Sequence, residues 1–161
     1  MKKLVFAVIL CLGVMTASAQ KTPHALGVHL GGNLEIEYQY HFDSRNFIDA
    51  TVGVFGWSHG VYGSAIYDWN IKTWTDWTPN TMDWKLYGGV GASLGYMSWK
   101  ENKGFYLGAV GNIGFGFTLH SCPLTIAADL RPTFGGVIGG EHSGFSSENI
   151  WNFGLSVVYR F

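Results

Sequence analysis

Cysteine is nearly absent from this chain of 161 residues, which holds only Cys11 and Cys122. Cys11 lies in an apolar N-terminal run, so the rest of the chain can form neither an intramolecular disulfide nor a cysteine metal cluster. Charge is also scarce: Asp, Glu, Lys and Arg make up 13% of the residues and the net charge is −1. The few lysines and arginines are scattered rather than gathered in a stripe, which excludes the electrostatic footprint of a nucleic-acid binder. Long apolar runs are missing too. Beyond residue 20 no stretch reaches the roughly 18 apolar residues of a transmembrane helix, so helical spans are excluded. No spacing calls for a metal or a cofactor.

The apolar run that does exist is at the start. Met1-Lys2-Lys3 is a positive n-region, Leu4 to Val14 an apolar h-region, and Thr16-Ala17-Ser18-Ala19 a small-residue cleavage site. Residues 1–19 therefore read as a signal peptide, cut after Ala19 to leave Gln20 first, and too short for an anchor, which needs about 20 apolar residues. Cys11 follows Leu10, where a lipoprotein site wants a small residue, and belongs to the leader. Residues 20–161 suffice for one domain.

What is abundant is aromatic and glycine: 16% of residues are Phe, Trp or Tyr, and glycines number 23. These sit on a period of two. In Leu34 to Phe42, Leu34, Ile36, Tyr38, Tyr40 and Phe42 alternate with Glu35, Glu37, Gln39 and His41, the pattern of a strand with one face in an apolar medium. The same alternation places a first strand at Leu26-Val28-Leu30, ended by Gly31-Gly32-Asn33, and a turn at Asp43-Ser44-Arg45-Asn46. Further strands follow at about Phe47 to Trp57 and Val61 to Asn70, another begins near Trp84, and two more cover Phe105 to Thr118 and Leu124 to Phe134. Ile71 to Asp83 reads as a long irregular connection, and Lys100 to Gly104 and Val137 to Asn149 as loops.

The last strand is the most specific signal. Phe153, Leu155, Val157, Tyr159 and Phe161 continue the apolar phase begun at Trp151, and the chain stops on that phenylalanine. The strand resembles the C-terminal assembly signal of bacterial outer-membrane β-barrels. With Leu130-Arg131-Pro132 and Val158-Tyr159-Arg160-Phe161 as its nearest motifs, the segment from residue 20 onward is similar to the small eight-stranded OmpA- and OmpX-like barrels. The expected fold is all-β: an antiparallel up-and-down transmembrane barrel of eight strands, since a sheet facing lipid must pair every backbone group and only closure removes its edges. Trp57, Tyr67, Trp69, Trp84, Tyr96, Trp99, Trp151 and Tyr159 fall near strand ends, where aromatic girdles belong.

An eight-stranded barrel has a bore that side chains fill. The inward phase carries Glu35, Glu37, Asp49, Asp68 and Asp129 against Lys85, Arg131 and Arg160, which should form a polar network plugging the lumen, with inward glycines making room for Tyr62, Tyr87 and Tyr106. The resemblance implies a non-enzymatic structural, adhesion or binding barrel of the Gram-negative outer membrane. Its partners would be outer-membrane lipids, lipopolysaccharide and, through the last strand, the barrel assembly machinery. The alternatives are a narrow pore, a transporter of a small hydrophobic ligand, or a lipid A-modifying enzyme using Ser58 and His59 with Glu141, His142 and Ser143.

Overall fold

The computed structural model describes residues 22–57, 60–99, 102–139, 144–146 and 151–161. The leader read at residues 1–19 lies outside them. The described chain is all-β, with ten strand segments and a single 3-10 turn at Phe55–Trp57. These segments are β1 (His24–Gly31), β2 (Leu34–His41), β3 (Asn46–Val54), β4 (Gly60–Trp74), β5 (Met82–Trp99), β6 (Asn102–Leu119), β7 (Leu124–Leu130), β8 (Thr133–Ile138), β9 (Gly144–Ser146) and β10 (Phe153–Arg160).

The sheet runs β5-β4-β3-β2-β1-β10-β7-β6-β8-β9, and a further β5–β6 pairing closes it on itself. β7 and β8 both pair with β6 in one unbroken register, Ile113↔Leu130 on one side of the gap and Val110↔Thr133 on the other. They are one barrel strand, interrupted only at Arg131-Pro132 because proline has no N–H for the ladder. β9 and β10 likewise flank β8 and β7 in turn. The result is an antiparallel, closed, eight-stranded barrel in which sequential strands are neighbours. The β5–β6 pairing removes the edges that an open sheet would leave on these two strands.

Several boundaries differ from the sequence reading. The Ile71 to Asp83 connection shrinks to residues 75–81, because β4 runs on to Trp74 and β5 starts at Met82. A bulge between Asn70 and Lys72 causes the difference: it shifts the phase by one residue, so that Trp69 and Trp74 share the outer face although their spacing is odd. β3 stops at Val54, where the 3-10 turn replaces the last residues of the expected strand. The Lys100 to Gly104 loop contracts, since Trp99 still pairs with Asn102. The expected Leu124 to Phe134 strand reaches Ile138, into the span read as a loop from Val137.

Both described termini lie at one end of the barrel, with the turns at 42–45, 75–81 and 120–123; this is called the terminal end. The other end, the loop end, carries the Gly32-Asn33 turn, the 3-10 turn and the end of β8 at Ile138. Alternation sorts the side chains by face. Val28, Ile36, Val52, Val90, Leu94, Leu107, Ile113 and Leu155 are exposed on the exterior, while Glu35, Glu37, Asp49, Asp129 and Arg131 are buried inside.

Candidate functional site: the filled lumen and its terminal vestibule

Three layers fill the bore. Nearest the loop end, Phe55, Tyr62, Met97, Tyr106 and Val137 form a buried apolar cluster, with Phe55 stacked on Tyr62 at 4.2 Å between ring centroids. Toward the terminal end Phe47, Tyr87 and Ala127 form a second. Between them lies a polar network centred on Arg131, whose side chain is 2% exposed.

Arg131 projects from the interruption between β7 and β8 and meets four carboxylates. Its Nη1 donates to Glu35 at 3.0 Å, and its Nη2 faces Asp49 at 3.1 Å and Glu37 and Asp129 at 3.3 Å. A planar guanidinium offers five donors in a fixed fork, against the three of a lysine ammonium, and can serve acceptors on several strands at once. His29 of β1 adds a second potential cation: its Nε2 pairs with Asp129 Oδ1 at 2.8 Å, and its Nδ1 faces Glu35 at 3.5 Å. Neutral donors add to the set, though Asp49 Oδ1 and Arg131 Nε stay buried without a hydrogen-bond partner among the described residues. Tyr62 donates its hydroxyl to Glu35 and accepts from Asn33 Nδ2 at 2.9 Å, and Ser156 donates to Glu37. Asn33 also accepts the Gly56 N–H at 2.9 Å, tying the loop-end turn to the network. A network so connected specifies one arrangement of the strands that supply it, because each unmade bond in a dry interior costs a full desolvation.

Glycines shape this interior, as two of their close approaches to rings show. A side chain at Gly154 would collide with the His29 ring, and one at Gly114 with the Tyr87 phenol. The bulky partner in each case sits on a different strand from the glycine and fills the space its missing Cβ leaves.

Of the eight residues singled out for the lumen, the structure brings Glu35, Glu37, Asp49, Asp129 and Arg131 into mutual contact. Asp68 is buried and accepts from Asn112 Nδ2 at 2.9 Å. Lys85 and Arg160 lie elsewhere: both line a cavity of about 470 Å³ at the terminal end, with Ala25, Gln39, His41, Asp83, His120 and Val158 among its other walls. A smaller space of about 40 Å³ deepens it as far as Phe47, Tyr87 and Ala127, the apolar layer that forms its floor. His29, Asn33, Asn152 and Ser156 were not singled out for the network from the sequence. His29 and Ser156 lie on the inward phase of β1 and β10, which was the signal available for them, whereas Asn33 and Asn152 sit just before β2 and β10, outside any alternation.

Ser58, His59, Glu141, His142 and Ser143, the candidate catalytic set, lie outside the described residues. Of the assembly-signal residues, Phe153, Leu155 and Phe161 are exposed on the exterior, and Val157 and Tyr159 are half-buried there. No family model, no curated protein and no solved structure matches the chain.

Proposed function

We propose that this chain is an integral β-barrel of a Gram-negative outer membrane, exported by a leader cleaved near Ala19, with a plugged lumen and a structural or surface-binding role. The observation that carries the proposal is the inversion of the usual globular arrangement: an ionic network inside and exposed aliphatic side chains around the wall. A soluble lipocalin-like barrel needs the reverse. Lipid as the outer solvent accounts for both faces at once, because the exterior loses nothing by remaining apolar and closure satisfies the backbone.

The aromatic side chains support the same reading. Near the terminal end Tyr40, Phe42, Tyr67 and Trp69 touch in series around the exterior, and Trp74, Trp77, Trp84, Phe115 and Phe117 continue the band. Tyr96, Phe105, Trp151 and Phe153 lie exposed toward the loop end. Two aromatic girdles bracketing an aliphatic belt are what a barrel anchored at two membrane–water interfaces requires. The plug favours a closed barrel over a pore or a hydrophobic-ligand transporter, since any through-path must break the Arg131 network. Membrane lipids and lipopolysaccharide then contact the belt, and the last strand is the segment offered to the assembly machinery.

The test is fractionation followed by electrophoresis with and without boiling, then conductance in planar bilayers. Recovery in the outer membrane, a heat-dependent shift in migration and no conductance are expected. Recovery in the soluble periplasmic fraction would overturn the membrane assignment, and discrete channel openings would overturn the plugged lumen.

A further inference from the structure

We infer that the vestibule at the terminal end is a binding site for a small organic anion. Its volume of about 470 Å³ lies within the roughly 300–1,000 Å³ of small-molecule pockets. Its walls come from β1, β2, β5, β6, β7 and β10, so it is preformed by the barrel rather than built on one loop. Lys85 of β5 and Arg160 of β10 bring an ammonium and a guanidinium to its lining. Arg160 is held at the mouth by its Nε bond to the Thr22 carbonyl at 2.7 Å. Among the described lining residues the acid is Asp83, which His120 engages at 3.0 Å.

The remaining surface is divided. Thr118 and Thr125, linked hydroxyl to hydroxyl at 2.8 Å, offer polar contacts, whereas Ala25, Leu119, Pro123 and Val158 form an apolar wall. This combination suits an anionic head, a phosphate or carboxylate, on an apolar body. A guanidinium and an ammonium together hold such a head by charge-assisted bonds. The strands enclose the vestibule and separate it from the exterior wall, so the occupant is a free solute entering from the terminal end, not a lipid headgroup.

Cys122 lines the same cavity, half-buried, and supplies a reporter. The folded protein in detergent micelles is treated with iodoacetamide, and alkylation of the Cys122 peptide is timed by mass spectrometry at increasing phenyl phosphate. Saturable slowing is expected, with none from benzyl alcohol, which carries the ring without the charge. In the double variant K85M/R160M the half-protecting concentration should rise about tenfold or more, while R45Q, in an exposed turn outside the vestibule, should behave as the parent. If the double variant fails to give the heat-shifted folded band, K85M and R160M singly must each weaken protection. Absence of protection, equal protection by benzyl alcohol, or protection unchanged by loss of both cations would each overturn the assignment.

Discussion

Arg131 holds a position that few residue types could fill. Four carboxylates from β2, β3 and β7 converge on it, and removing one partner of a buried ionic group typically costs about 3–5 kcal/mol because the remaining charges are left uncompensated. Arg131→Met should therefore lower the unfolding free energy by about that amount, read from urea denaturation followed by tryptophan fluorescence. Arg131→Lys keeps the charge but not the planar fork, and should fall between the two. An unchanged urea midpoint for the methionine variant would show that the network contributes nothing net. Packing is as exacting a few residues away. Gly114→Ala drives a methyl into the Tyr87 ring, and such overpacking costs about 1–3 kcal/mol. Combining it with Tyr87→Leu should cost less than the two single losses added together, since the clash disappears with the ring. Strict additivity in that double-mutant cycle would contradict the contact.

At the scale of elements, the turns set the register. Between β2 and β3, Asp43 accepts the backbone N–H groups of Arg45 at 2.6 Å and Asn46 at 2.7 Å, and the Asn46 side-chain amide at 3.0 Å. These donors, the Asn46 amide foremost, hold the Asp43 carboxyl below the usual aspartate range. A carboxyl whose folded pKa is depressed stabilises the fold above its unfolded value, about 3.9, and that contribution is lost as pH falls through the lower folded value. Asp43→Asn retains an acceptor but does not titrate, so its urea midpoint should drop less than the parent's between pH 5 and pH 2. An equal drop in both would remove the turn from the acid response.

Turns and alternation were also the parts legible in the sequence. Asp43-Ser44-Arg45-Asn46 and the inward carboxylates of β2 could be read residue by residue, because period two sorts faces without knowledge of neighbours. The β4–β5 hairpin could not. The bulge at Ile71 reverses the phase, and a strand whose alternation breaks looks like a loop. The site was only half legible for a related reason. Alternation says that Lys85, Arg131 and Arg160 all face inward, but not how far along the bore each one sits. Depth depends on the stagger between strands that are distant in sequence, and that stagger puts Arg131 in the network and the other two in the vestibule.

For the whole molecule, one substitution separates a wall facing lipid from a wall facing water by magnitude. Val52 lies in β3 with 68% of its surface exposed, between Ile36 of β2 and Gly63 of β4. On a wall facing water, Val52→Arg removes an exposed apolar group, and such surface changes usually stay within about 0.5 kcal/mol. On a wall facing lipid, an arginine near the bilayer midplane costs about 2–4 kcal/mol, and the cost fades toward either interface. Arginines placed singly at Val52, at Val90 and at the exposed Phe161 beside the terminal-end girdle should therefore show a graded penalty when refolding is measured in lipid vesicles, largest at Val52 and Val90 and least at Phe161. A flat profile near zero would mean that the exterior never meets hydrocarbon. The apolar belt would then need a protein partner to cover it.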